Sequence, residues 1–219
     1  MKTSPSAVLS RRKCPRQARS AVTVDAIFEG TLQVLLRAGS TRLNTTRVAE
    51  RAGVSVGTLY QYFPNKQSLL YAVLERYLDR LMDLLEAACR SQHGRPAQEM
   101  TEAAVRAYLQ VKADEPEISR ALYAIVTELD ACRLVEAAIQ RAERALAAML
   151  SSAGDGDFAD PHAVARLLFA AVHGTLRMLY ERDLPPVIGS DMESQLMTMC
   201  RAYIAAALRP PQAPASPAG

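Results

Sequence analysis

"AGVSVGTLYQYFPNKQSLL", residues 52–70, is the stretch on which the fold turns. Gly57, Thr58, Tyr60, Gln61 and Tyr62 crowd into a turn and a half, and Pro64-Asn65-Lys66 interrupts before a long apolar pattern resumes. On a helical wheel Val56, Leu59, Phe63 and, at its edge, Tyr60 form an inward stripe, with Gly57, Thr58, Gln61 and Tyr62 opposite. So short a helix cannot stand alone, so neighbours must hold one face while the other is offered outward. Thr45 or Asn44 caps a preceding short helix that runs to about Ala52, Gly53 supplies the positive φ of a tight turn, and Ser55 caps the next helix. Two short helices joined by a glycine-containing turn are a helix-turn-helix, and its second helix is built to enter the major groove of DNA.

The outward residues suit that task. Gly57 lets the helix axis approach base edges, Ser55 and Thr58 supply hydroxyls, Gln61 an amide, and Tyr62 a ring and hydroxyl for a base or phosphate. Lys66 falls in the first turn of the following helix, where a cation opposes the dipole by a few tenths of a kcal/mol to ~1. A phosphate held at the same N-terminus by backbone N–H groups and the ammonium accounts for it. Arg47 is a second dipole-opposed cation, for which solvation is the competing reading. For Tyr60 and Tyr62 the competing reading is a cover over a helix junction.

Charge agrees with this picture. Residues 1–70 hold eleven Lys/Arg against three Asp/Glu, a net +8, so the rest of a chain of formal charge +3 carries −5. A basic head on an acidic remainder points to a polyanion partner for the head. The leader, with Lys2, Arg11, Arg12, Lys13, Arg16 and Arg19 and no acid, is either a groove-tracking arm or a solubilising tail. It has no apolar signal core, and no run of apolar residues is long enough to span a bilayer, so a cytoplasmic protein is expected, with its four scattered cysteines reduced.

Helical periodicity continues along the chain. A first helix follows Thr23 as N-cap and stops at Gly39, and the helix capped by Asn65 runs to the "SQHGRP" break at 91–96. Further helices are expected at about 97–114, 117–130 and 133–152. After the loop "AGDGDFADP", Asp160-Pro161 opens a helix to about 182, and a capping box at Ser190–Glu193 opens the last, to about Leu208. The chain is therefore all-α, with about nine helices and no convincing strand.

"TTRVAERAGVSVGTLYQYFPNKQSLL", residues 45–70, resembles the DNA-binding signature of the tetracycline-repressor (TetR) family of bacterial transcription regulators. The Thr-Thr start of helix 2, Ala-Gly-Val-Ser at the turn, Gly-x-Leu-Tyr-x-x-Phe in the recognition helix and x-Lys-x-x-Leu opening helix 4 match in one register. The resemblance implies phosphate contacts from Thr45, from Tyr62 or its neighbours, and from Lys66. It implies base or groove contacts from Ser55, Val56, Gly57, Thr58 and Tyr60. Val56 departs from the polar or basic residue common there, which leaves only apolar contact, such as a thymine methyl.

The implied architecture is a flexible arm at 1–20, a three-helix DNA-binding domain at 21–66, a helical ligand-binding and dimerisation domain at 67–208 joined through long helix 4, and a disordered tail at 209–219. The implied mechanism is a homodimer on a palindromic operator, released by a small-molecule effector. Polar pocket candidates are Tyr108, Tyr123, Glu128, His173 and Arg177, and Glu128 among aromatic neighbours suggests a cationic ligand. The dimer is expected through the last two helices, with Leu168, Val172, Leu176, Leu196, Met199 and Tyr203 on the shared face and Ala170, Ala171 and Gly174 allowing close approach. Apart from DNA and the effector, no cofactor, metal or membrane partner is expected. The three histidines lie on separate elements, and no H-E-x-x-H, phosphate loop or nucleophile elbow is present, which argues against an enzyme.

Overall fold

The computed structural model describes residues 18–181 and 190–210, with side chains for residues 20–181 and 191–210. The basic arm as far as Gln17, the side chain of the expected Ser190 cap and the tail from Pro211 lie outside them. The described helices are α1 (Ala18–Arg42), α2 (Thr45–Ala52), α3 (Val56–Tyr62), α4 (Lys66–Ser91), α5 (Ala97–Asp114), α6 (Pro116–Glu128), α7 (Cys132–Leu150), α8 (Pro161–Glu181) and α9 (Ser190–Ala207). The all-α expectation holds, with one small addition. Asp157 and Phe158 (β1) pair antiparallel with Arg209 and Leu208 (β2), so part of the expected loop and the start of the expected tail are joined.

Local chemistry sets most boundaries. The Asn44 side chain accepts from the Arg47 N–H at the start of α2, and Gly53, at φ 66° and ψ 28°, ends it. Asn65 and Ser68 cap α4 reciprocally, the Asn65 Oδ1 accepting from the Ser68 N–H at 2.7 Å and the Ser68 Oγ from the Asn65 N–H at 3.3 Å. Asp160 caps α8 as expected, accepting from the Ala163 N–H at 3.0 Å. Thr23, in contrast, is no cap: it lies inside α1, which already includes Ala18. Gly39 does break α1, at φ 74° and ψ 168°, and one further turn follows it.

The chain forms two compact units. The first comprises residues up to Asp79 with Glu115–Val135, and the second comprises Arg80–Asp114 with Glu136 onward. This grouping differs from the expected division at residue 66 for a packing reason. Leu69, Leu70, Val73 and Leu74 of α4 and Leu122 and Ile125 of α6 are buried in the same core as Ile27, Val48, Leu59 and Phe63. Burying an aliphatic side chain of this size contributes about 1.5–3 kcal/mol, so α6 is held by the first core whatever its place in the sequence. In the second unit Arg201 of α9 makes two charge-assisted bonds to Glu102 of α5, at 2.7 and 2.9 Å, and Arg141 of α7 bridges Asp83 and Glu86 of α4.

The approach of α1 to α2 is tight at one point. A Cβ on Gly30 would lie 3.0 Å from the Ala52 backbone nitrogen and 3.2 Å from both the Ala52 Cβ and the Val48 carbonyl oxygen. Two of these are backbone atoms that cannot rotate away. Gly30→Val is expected to cost about 1–3 kcal/mol, seen as a lower denaturant midpoint, whereas Val22→Ala on the exposed side of the same helix should leave the midpoint nearly unchanged.

Candidate nucleic-acid interface

The site begins at α3, whose seven residues are anchored on one side only. Leu59, Tyr62 and Phe63 are buried, and the Ser55 Oγ accepts from the Thr58 N–H at 3.0 Å while bonding the Thr58 hydroxyl at 2.8 Å. Ser55, Gly57, Tyr60 and Gln61 are exposed, and Val56 and Thr58 are half-exposed. The expected outward face therefore exists, with one correction. The two tyrosines have exchanged places: Tyr60 is 42% exposed and Tyr62 only 8%.

The reason lies in α1 and in the end of α3. The extra turn of α1 brings Ser20 to the Tyr62 hydroxyl at 3.0 Å, and the Tyr62 ring packs on Phe63, 6.4 Å between centroids. Phe63 has left helical geometry, at φ −127° and ψ 108°, so the wheel places it wrongly and shifts the apparent centre of the buried stripe. Tyr60 instead reaches back across the motif, where its hydroxyl bonds the Thr45 Oγ1 at the start of α2 at 2.9 Å. Each hydroxyl can both donate and accept, so this pair presents hydrogen-bonding capacity at the N-terminus of α2 without leaving either oxygen single-purpose.

Gly57 is informative because nothing among the described residues requires it. It lies in α3 without a positive φ, and the nearest atom to an added Cβ is the Ser55 Oγ at an ordinary 3.7 Å. Neither strain nor internal crowding explains a residue that weakens a helix by about 0.5–1 kcal/mol relative to alanine.

The cations flank this face. Arg47 is exposed in the first turn of α2. It shares an open groove with Arg37, Arg51 and Glu50, beside Val34 and Ala38. Arg37 and Arg51 were not singled out from sequence, where only their share of the head's net charge marks them. Lys66 is committed within the first unit: its Nζ donates to the Ser40 carbonyl at 2.6 Å and lies 3.5 Å from Glu128 of α6. Glu128 is thereby corrected from a ligand-pocket candidate to the ion-pair partner of Lys66. Tyr123, on the same helix, also belongs to the first unit.

Of the remaining pocket candidates, two meet in the second unit. The Tyr108 hydroxyl bonds the His173 Nδ1 at 2.9 Å, and the Phe169 ring stacks on the imidazole at 5.5 Å. Arg177 is exposed and bonds Glu181 at 2.7 Å on its own helix. The adjoining cavity, lined by Leu85, Val105, Tyr108, Leu146, Phe169 and Val172, has a volume of about 10 Å³, room for about one water molecule.

The expected dimer face also needs revision. Leu168, Val172, Leu176 and Leu196 are buried within the single chain, and of the six expected residues only Met199, 42% exposed, and the half-buried Tyr203 remain accessible. The exposed stripe on α8 is Ala163, Leu167, Ala170, Gly174 and Met178, with Met199, Ala202 and Ala206 on α9. Sequence periodicity located the apolar helices but could not separate their inner from their outer seam, because both seams are apolar.

A capped, one-sided helix after a glycine turn, rimmed by arginines, defines a helix-turn-helix protein of the bacterial regulator class. Residues 27–73 match the family described as "Bacterial regulatory proteins, tetR family", and residues 96–204 match "Tetracyclin repressor-like, C-terminal domain". The chain belongs to the TetR family. It is 44% identical over 55 residues to the HTH-type transcriptional repressor KstR of Mycolicibacterium smegmatis, covering 25% of this chain and 27% of that one. It is 40% identical over 72 residues to the nucleoid occlusion factor SlmA of Glaesserella parasuis, covering 33% and 32%. The chain thus matches only about a third or less of the length of these relatives. A TetR transcription regulator from Haloarcula marismortui shares the fold, with TM-score 0.70 and 19% identity over 86% of this chain and 100% of that one. Among the described residues no helix is long and apolar enough to cross a membrane.

The half-buried imidazole makes a pH prediction. Burial, with Lys112 and Arg177 nearby, pulls His173 down from its usual 6.5 to about 4. Between those values the unfolded chain binds a proton that the folded one does not, so stability falls as pH drops from 6.5 to 4. His173→Gln is expected to flatten that part of the stability–pH curve by on the order of 2–3 kcal/mol, measured by urea unfolding at pH 4.5 and 7.

Proposed function

We propose that this chain is a transcriptional repressor that binds a palindromic operator as a homodimer and is released when a small molecule occupies its second unit. Gly57 is the observation that carries the DNA-binding reading. A fold that has room for a side chain there yet carries none is explained by an external surface pressed against the helix, and a major groove is such a surface. Around it Ser55, Thr58 and Gln61 face base edges. Thr45, Tyr60, Arg47, Arg37 and Arg51 face phosphates. Lys66 exchanges its Glu128 pairing for a phosphate at the start of α4, and Val56 makes apolar contact. Tyr62 acts through its hold on α1. The operator places the protein in the cytoplasm, at the nucleoid.

One helix-turn-helix reads few base pairs, so two copies are needed for useful specificity. The exposed stripes of α8 and α9 supply a contact surface for a second copy, with Gly174 and the alanines admitting close approach and Leu167, Met178 and Met199 as the bulky contacts. The small volume of the cavity beside Tyr108 favours one alternative, a regulator that answers to a protein partner or to none. Its discriminator is whether any small molecule releases DNA.

Operator fragments selected from the source genome provide the probe, read by fluorescence anisotropy. Affinity is expected to fall about 10³–10⁵-fold between 50 and 200 mM salt if six to ten phosphates are contacted, and a flat response rejects the reading. Gly57→Ala should leave thermal stability unchanged or raised while weakening binding. Lys66→Ala should weaken all sequences about equally, and Thr58→Ala should alter sequence preference. Leu167→Arg should shift the sedimentation of the protein from dimer to monomer, and retention of the dimer would move the interface elsewhere.

A further inference from the structure

Two charges of the first unit stand at helix ends that disfavour them. Glu128 is the last residue of α6, where a carboxylate meets the negative end of the helix dipole. Lys66 is the first residue of α4, where an ammonium meets the positive end. The two groups lie 3.5 Å apart, so each offsets the other's misplacement.

Both partners are held in position. Leu122 and Ile125 bury α6 in the first core, and the Tyr77 hydroxyl of α4 meets the Ser119 Oγ of α6 at 2.8 Å. The end of α6 is closed by backbone bonds. The Leu129 N–H donates to the Ile125 carbonyl at 2.9 Å and the Ala131 N–H to the Val126 carbonyl at 3.1 Å. Asp130, at φ 48°, makes the turn between them, and Ala131 is buried. A fixed helix end therefore delivers Glu128 to the lysine. From the other side Ser40, next to the break at Gly39, accepts from the Lys66 Nζ at 2.6 Å through its carbonyl.

We propose that Glu128 takes, in the protein without DNA, the place of a backbone phosphate at Lys66, and so holds the head's affinity for DNA below what its cations would otherwise give. This rests on the DNA-binding reading above. An ammonium carries three donors and one charge. The neutral Ser40 carbonyl keeps its donor in either state, whereas a carboxylate fixed beside a phosphate repels it, so one anion displaces the other. The Lys66 and Glu128 side chains are 24% and 37% exposed, so the displaced carboxylate returns to water easily. A pair this exposed is weak, which makes it a graded brake on binding and not a lock.

Glu128→Gln removes the charge and keeps the shape, and Glu128→Ala repeats the comparison, each checked for folding by circular dichroism and urea unfolding. Anisotropy of the operator fragment should show either variant binding about two- to fivefold more tightly for each recognition head. Lys66→Met should bind more weakly, with the slope of log affinity against log salt shallower by about 0.9 for each phosphate lost. Added to Lys66→Met, Glu128→Gln should change nothing further. Glu117→Gln, which removes the same charge from the exposed first turn of α6, should match the unaltered protein.

Unchanged or weaker binding by the Glu128 variants overturns the proposal. Equal tightening with and without Lys66, or the same tightening from Glu117→Gln, overturns it by reducing Glu128 to a general repulsion. An unaltered salt slope in Lys66→Met overturns it by making that lysine structural only. In each of these cases the operator is still bound and the DNA-binding reading stands. Failure of the unaltered protein to bind the operator rejects that reading, and the proposal with it.

Discussion

Everything the head does depends on holding a seven-residue helix that could not hold itself. Nucleating a helix costs more than its first hydrogen bonds return, and isolated helices of this length do not persist in water. Here the deficit is met from one side: Leu59, Tyr62 and Phe63 enter the first core, and Ser55 satisfies an N-terminal donor. The residues left facing outward are then free to be chosen for chemistry rather than for packing. Tyr60 shows the division of labour within a single residue type, since it lies one position from the buried Leu59 and two from Tyr62, yet its hydroxyl braces Thr45 on the neighbouring helix.

The sequence made the helices legible because their ends are written in local chemistry. Asn44, Gly53, Ser55, Asn65 and Asp160 act where a short-range reading puts them. It failed where the deciding partner lies far along the chain. Tyr62 looked exposed because Ser20, 42 positions away, could not be foreseen as its partner. Glu128 looked like a pocket residue because nothing local announces Lys66, and the ion pair joins the end of α6 to the start of α4. The two seams of α8 were indistinguishable for a different reason. One faces its own chain and the other the solvent side, and alanine, leucine and methionine satisfy both.

Lys112 belongs to the same lesson. A lysine near a helix C-terminus is ordinary in sequence, where it complements the dipole and is read as surface. Only the packing of α5 against α8 shows that this one is enclosed, beside Tyr180 and within the electrostatic reach of His173. Burying a charge is costly enough that it rarely survives without a use or a partner. The two units thus divide the electrostatic work: the head spreads many exposed cations over a surface, and among the described residues the second unit encloses a single one.

The two-residue pairing of β1 with β2 has a consequence out of proportion to its size. It fastens the chain just before α8 to the chain just after α9, so the intervening segment is a closed ring stitched by backbone bonds rather than by sulfur. The fit is close: a Cβ on Gly156 would stand 2.2 Å from the Arg209 carbonyl oxygen, so only glycine passes this clasp. Closing a ring of that length removes entropy before any partner arrives. The panel formed by α8 and α9 is consequently set in advance, its outer stripe fixed by the chain itself.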